Sequence, residues 1–152
     1  MKLTPFAIAE IAGCIKDIQS GKLWVAFFNS FGSRDVYDSL GLPDIGKPNG
    51  QRPSKTEYIV KRLTESNGTY ILSDILVRMA SMGDLLPKRI NSIIGPEHFC
   101  IEEKDGKYRP KIRFGNDKDY LYKYWIVGID VIGVDRFDLN FEDNTVKLYS
   151  KP

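Results

Sequence analysis

Residues 99–114 read FCIEEKDGKYRPKIRF, and this stretch decides the architecture. The runs Phe99–Glu103 and Tyr108–Phe114 flank Asp105-Gly106. An Asp-Gly pair between two such runs is a strong short-range hairpin signal, because a tight turn that matches strand twist needs positive φ at both central residues. Upstream of this point the apolar residues recur at helical spacing between caps. Downstream they alternate.

Immediately before the hairpin the pattern predicts three helices, at Lys55–Ser66, Tyr70–Ala80 and Leu85–Ile94. Ser54-Lys55-Thr56-Glu57 is a capping box, in which each side chain satisfies the other end's free amide. Tyr58, Ile59 and Leu63 form the apolar face of that helix and Asn67-Gly68 ends it. Thr69 caps the next, which carries Leu72, Ile75, Leu76 and Met79. After Ser81-Met82-Gly83-Asp84, a third short helix with Ile90, Ile93 and Ile94 stops at Gly95. Three helices followed by a hairpin is the winged-helix order. A recognition helix at the third position places Lys88, Arg89, Asn91 and Ser92 near phosphates and base edges, with Lys104, Lys107 and Arg109 on the wing. The candidate nucleic-acid-binding residues are therefore Lys88, Arg89, Asn91, Lys104, Lys107 and Arg109.

Towards the N-terminus, Thr4 and Pro5 open a helix whose residues Phe6, Ile8, Ile11, Ile15 and Ile18 follow at helical spacing, with Ser20-Gly21 as its end. A second helix is expected over Lys22–Phe31, with Leu23, Trp24, Phe27, Phe28 and Phe31 as its apolar face. Ser33 reads as the cap of a short helix through Leu40, stopped by Gly41. The segment GLPDIGKPNGQRP (41–53) holds three prolines and three glycines and is the clearest loop. Towards the C-terminus, Tyr120–Val134 is apolar and aromatic and reads as strand rather than helix. Phe137, Leu139 and Phe141 alternate, Glu142-Asp143-Asn144 turn, and Val146 and Leu148 alternate back as a second hairpin. The expected fold is α+β in one domain, 1–152. A mainly helical lobe (1–95), with a winged-helix-like unit, precedes a mainly β part (96–152) that forms a small antiparallel sheet.

The chain of 152 residues is 42% apolar and 28% charged, the balance of an ordinary globular domain. A net charge of +2 permits a local basic surface without requiring a polyanionic partner. Cys14 and Cys100 are expected as reduced thiols of a cytoplasmic protein, not as a disulfide framework. In MKLTPFAIAEIAGC, Glu10 interrupts the apolar run, so an amphipathic helix fits better than a signal segment. No run approaches the ~18 apolar residues that a membrane span requires, so no membrane partner is expected.

Catalytic motifs fall short. Glu102-Glu103-Lys104 with Asp44 imitates the acidic pair and lysine of a metal-dependent nuclease, but Asp44 sits in a Pro/Gly-rich loop and Glu102 near a charged hairpin tip. His98 is the sole histidine and reads as a boundary residue, and with two cysteines it cannot build a zinc site. Gly46-Lys47-Pro48-Asn49-Gly50 lacks the ending and the preceding strand of a phosphate loop. Tyr120, Tyr122, Tyr124 and Trp125 could stack bases, but alternating aromatics more often pack as strand. No catalytic residue, metal or cofactor is assigned, and an enzyme is not the favoured reading.

One further pattern stands out: Phe27-Phe28-Asn29-Ser30-Phe31-Gly32, then Asp35-Val36-Tyr37, then Tyr58-Ile59-Val60-Lys61-Arg62-Leu63 closing on Asn67-Gly68-Thr69. Over Leu23–Thr69 the chain resembles the N-terminal domain of AbiJ-type abortive-infection proteins of bacteria. Leu86, Ile90, Ile94 and Asp105-Gly106-Lys107-Tyr108 continue the likeness. The loop 41–53 is longer than the family's connector, and the strands after Phe114 have no counterpart in it. In that family the domain stands ahead of an effector. The resemblance therefore implies a non-catalytic sensing or regulatory module of a defence system with an effector protein as partner, nucleic acid being the partner that the helix–hairpin layout suggests; a metal-dependent nuclease and a purely protein-binding scaffold are the alternatives.

Overall fold

The structure, a computed structural model, describes residues 1–112, 134–140 and 145–150. The fold class is α+β, and the chain divides into two compact units, Met1–Ile112 and Arg113–Pro152. The first unit holds five α-helices: α1 (Pro5–Ile15), α2 (Gly21–Asn29), α3 (Lys55–Ser66), α4 (Tyr70–Ala80) and α5 (Leu86–Ile94). Its hairpin is β1 (Phe99–Lys104) with β2 (Lys107–Ile112). The second unit contains β3 (Val134–Asn140) and β4 (Thr145–Ser150), which pair antiparallel with Phe137 opposite Leu148 and Leu139 opposite Val146. Among the described residues each hairpin is a two-stranded sheet. The expected strand over Tyr120–Val134 falls, but for its last residue, outside the described residues, as do Phe141 and the 142–144 turn.

Caps set most of the helix starts. Thr4 Oγ1 accepts from the Ala7 amide at 3.2 Å and Pro5 occupies the first turn of α1. In α3 the reciprocal capping box forms, with the Glu57 amide donating to Ser54 Oγ at 3.2 Å and the Ser54 amide donating to Glu57 Oε2 at 2.7 Å. Such a cap is worth about 1 kcal/mol. Thr69 Oγ1 accepts from the Ile71 amide to open α4. The helices bury Ile8, Ile11, Ile15, Trp24, Phe28, Tyr58, Ile59, Leu63, Leu72, Ile75, Leu76, Met79, Ile90 and Ile94 around one core.

Three expectations in the N-terminal part are corrected. Ser20-Gly21 does not close the first helix, which ends at Ile15; Ser20 is the N-cap of α2, its Oγ accepting from the Leu23 amide. Phe6, Ile18 and Leu23 are exposed, because the buried stripe of α1 runs through Ala7, Ile8, Ile11, Ala12 and Ile15 and that of α2 through Trp24, Val25, Phe27 and Phe28. The short helix expected over Ser33–Leu40 is absent. There the chain is irregular and ends in a tight turn where Asp38 and Gly41 exchange main-chain hydrogen bonds of 3.2 and 3.0 Å. Asn29 explains the change: its carboxamide takes both the N–H and the C=O of Asp35, and that carbonyl is the one a helix through Leu40 would have bonded to the Ser39 amide.

The β1–β2 turn meets the sequence expectation. Asp105 and Gly106 have φ of 54° and 72°, the doubly left-handed turn that suits a two-residue hairpin. Lys104 faces Lys107 across it, and Ile101 faces Pro110. Along an antiparallel ladder, bonded and non-bonded pairs alternate, so the main chains of Ile101 and Pro110 point outwards. On the β2 edge Pro110 offers no N–H, and on the β1 edge Asn91 of α5 occupies the N–H and C=O of Ile101 at 2.7 and 2.8 Å. Both edges are thereby blunted against pairing with another strand.

The segment before α1 is stitched to two distant turns. Asn67 accepts from the Leu3 amide and donates to the Leu3 carbonyl, both at 2.8 Å, and the Gly68 amide donates to the Met1 carbonyl at 3.0 Å. The Thr4 amide donates to Glu97 Oε2 at 2.8 Å, and its hydroxyl to the other oxygen of the same carboxylate.

Candidate nucleic-acid interface

Helix α5 has nine residues and buries Leu86, Ile90 and Ile94. Helical spacing then places Lys88, Arg89 and Ser92 on the opposite side, where all three are exposed. Pro87 stands in the first turn, where its missing amide removes no helical bond. Among the described residues no carboxylate forms an ion pair with Lys88, Arg89 or Lys107, whereas Lys47, Arg52, Lys55, Lys61 and Arg62 are each paired. Lys107 is exposed beside the hairpin turn. Lys104 and Arg109 are placed by register, opposite Lys107 and Glu102.

Asn91 is placed differently from its basic neighbours. It is half-buried, and both ends of its carboxamide are bonded to Ile101, which fixes β1 against α5. Ser92 Oγ donates to the Arg89 carbonyl at 2.7 Å. The exposed face of α5 thus offers two cations and a hydroxyl whose proton is already donated.

The residues that carried the family likeness gather at a second place. Phe28 meets Tyr58 edge-on, ring centroids 5.7 Å apart. Asn29 holds the Asp35 main chain, and the Asp35 carboxylate accepts from Tyr58 Oη at 2.6 Å and from Arg62 Nη2 at 2.6 Å. Arg62 Nη1 also donates to Glu65 Oε2 at 2.5 Å, and its guanidinium carbon lies 5.4 Å from the Tyr58 ring centroid. The Asp35 and Arg62 side chains are only 11% and 15% exposed. Burial, and then the hydrogen bond to the Asp35 carboxylate, raise the Tyr58 pKa above its ordinary value. Burial opposes the Arg62 charge, but hydrogen bonds to Glu65 and Tyr58 and the charge of Asp35 outweigh it and hold the guanidinium protonated. A protonated phenol and a committed ion pair leave no free acid, base or nucleophile in the cluster, so its chemistry is that of a latch. Sequence reasoning gave Phe28 and Tyr58 an apolar face and Asn29 a helix-end role, but named Asp35 and Arg62 as a pattern without a role. The available signal was Tyr58 and Arg62 one turn apart on one helix face.

The latch belongs to a longer tie. Arg52 donates to Asp38 Oδ2 at 2.9 Å and to the Leu42 carbonyl at 3.0 Å, and Lys47 pairs with Glu57 at 2.6 Å. Residues 33–53 are thus fastened from both ends while Val36 and Leu40 remain 69% and 70% exposed, with Tyr37 beside them.

Asp44, from the nuclease motif, accepts from the Gly46 amide at 2.8 Å in a local turn, and Glu102 is half-buried on β1. Among the described residues no three histidine, cysteine or carboxylate groups are grouped to hold a metal ion. His98 is half-buried at a left-handed position between α5 and β1, and Cys14 and Cys100 are free thiols. No described helix is long and apolar enough to cross a membrane. Tyr120, Tyr122, Tyr124 and Trp125 lie outside the described residues. Comparison with family models, curated proteins and solved structures returns no match to this chain.

Proposed function

We propose that the chain is a non-catalytic recognition module of a prokaryotic defence-type system, acting in the cytoplasm and binding nucleic acid through α5 and the β1–β2 hairpin. The observation that carries this reading is the clustering of exposed Lys88 and Arg89 on one face of α5, with exposed Lys107 on the hairpin that follows, none of them ion-paired among the described residues. The order α3, α4, α5, hairpin supports a winged-helix-like use of that face. The likeness of residues 23–69 to abortive-infection proteins supports the defence setting. A salt titration of binding tests the reading: affinity should fall steeply with salt, and the double variant K88E/R89E should bind weakly with a flattened slope. Wild-type and variant chains with equal affinity would reject it.

One observation favours an effector protein as a further partner. Val36, Tyr37 and Leu40 are exposed on a segment held rigid by Asp35, Arg52 and Arg62, and exposed apolar groups on a tied-down loop suit protein contact. The variant V36D/L40D should then release the effector and leave nucleic-acid affinity unchanged.

A further inference from the structure

If α5 and the hairpin bind nucleic acid as proposed, we infer that they grip the phosphate backbone of a duplex without reading its sequence. Phosphate contacts position a protein, whereas base-edge contacts specify a sequence. Asparagine is the helix residue best suited to adenine, because its amide can accept from the N6 amino group and donate to N7 at once. Asn91 is the sole carboxamide of α5, and both of its functions are spent on the Ile101 main chain at 2.7 and 2.8 Å. Turning it towards a base would strip the outer edge of β1 of its partner. Ser92 has given its proton to the Arg89 carbonyl. Arg89 carries the one exposed planar fork of α5 for guanine O6 and N7, and a single such contact does not define a site.

The same face decides between paired and unpaired strands. Single-strand binders supply aromatic platforms on which bases stack. Among the described residues the exposed side of α5 consists of Lys88, Arg89 and Ser92 and has no ring, and the hairpin adds a single half-buried one, Tyr108, too few for a row of stacked bases. Cations without a stacking surface fit the regular phosphate rows of a duplex. Lys107, at the hairpin turn opposite Lys104, adds a second point of charge to the same kind of contact.

The test uses the full chain and fluorescence anisotropy against a panel of short duplexes of unrelated sequence, each matched by its own single strand. Affinities across the duplexes should agree within about twofold, and the single strands should bind less tightly. R89K keeps the charge but removes the bidentate fork, so its affinity should stay within about twofold of wild type on every duplex. K88E/R89E should lose about tenfold or more and shed about two units of salt slope. A preference of about tenfold for one duplex, or a selective loss in R89K on G-containing duplexes, would overturn the inference and leave nucleic-acid binding standing. Tighter binding to single strands would likewise overturn it. No binding to any member of the panel at low salt would overturn both.

Discussion

The carboxamide of Asn29 grips Asp35 by both polar groups of its main chain, donating to the carbonyl and accepting from the amide, each at 2.9 Å. A residue just past α2 is thereby turned so that its carboxylate meets Tyr58 and Arg62 of α3. Local geometry and a longer-range ion pair depend on each other here.

Asp35→Ala should therefore be among the most damaging single changes. It leaves Arg62 largely buried with Glu65 as its remaining carboxylate and strips Tyr58 Oη of its acceptor. Breaking a buried pair from one side costs about 3–5 kcal/mol. Urea unfolding would measure this, and D35A/R62M should recover part of the loss because no lone charge is left behind. A loss under about 1 kcal/mol would mean that the pair behaves as a surface one.

Tyr58→Phe removes one donor from the Asp35 carboxylate and should cost about 1–3 kcal/mol at neutral pH. Its pH signature is alkaline. Because the folded pKa of Tyr58 is raised above the ordinary 10.0, its contribution is intact below that pH and is lost as pH rises further. The variant should show a shallower stability decline above pH 10.0 than wild type.

Acid stability should depend on Glu57. The hydrogen bond to Lys47, followed by those to Ser54, lowers its pKa from 4.5 to about 2. A depressed carboxyl stabilises the fold above the unfolded value, so the contribution is present above pH 4.5 and fades as pH falls towards about 2. Glu57→Gln should flatten the stability profile across that window. An unchanged slope would place the acid sensitivity elsewhere.

Asn91→Ala should reduce stability by about 1–3 kcal/mol, since the outward N–H and C=O of Ile101 lose their partner. It should also open the β1 edge, so aggregation on warming should begin earlier than in an equally destabilised core variant. Light scattering during a thermal ramp distinguishes the two effects.

Much of this was legible from local chemistry. Thr4, Ser54 with Glu57, and Thr69 cap the helices that their side chains promise, and Asp105-Gly106 makes the turn that its backbone preferences demand. The segment 33–40 was not legible, because the groups that decide it lie elsewhere. Asn29 occupies the Asp35 carbonyl, and Arg62, 27 residues from Asp35, completes the latch. At the interface, the 3.6-residue period exposes Lys88 and Arg89 on sight. The occupation of Asn91 could not be read, since its partner is the main chain of Ile101, which leaves no mark in side-chain pattern.

The stitching of residues 1–4 bears on the order in which the molecule becomes itself. Leu3 bonds a residue 64 positions later, and Thr4 one 93 positions later. During vectorial synthesis these residues emerge long before either partner exists. α1 can coil on its own hydrogen bonds, but its leading segment must wait for its full set of partners until α5 and the turn after it have been made. This stretch precedes both of the turns that fasten it, and its locking marks the point at which the helical unit has closed.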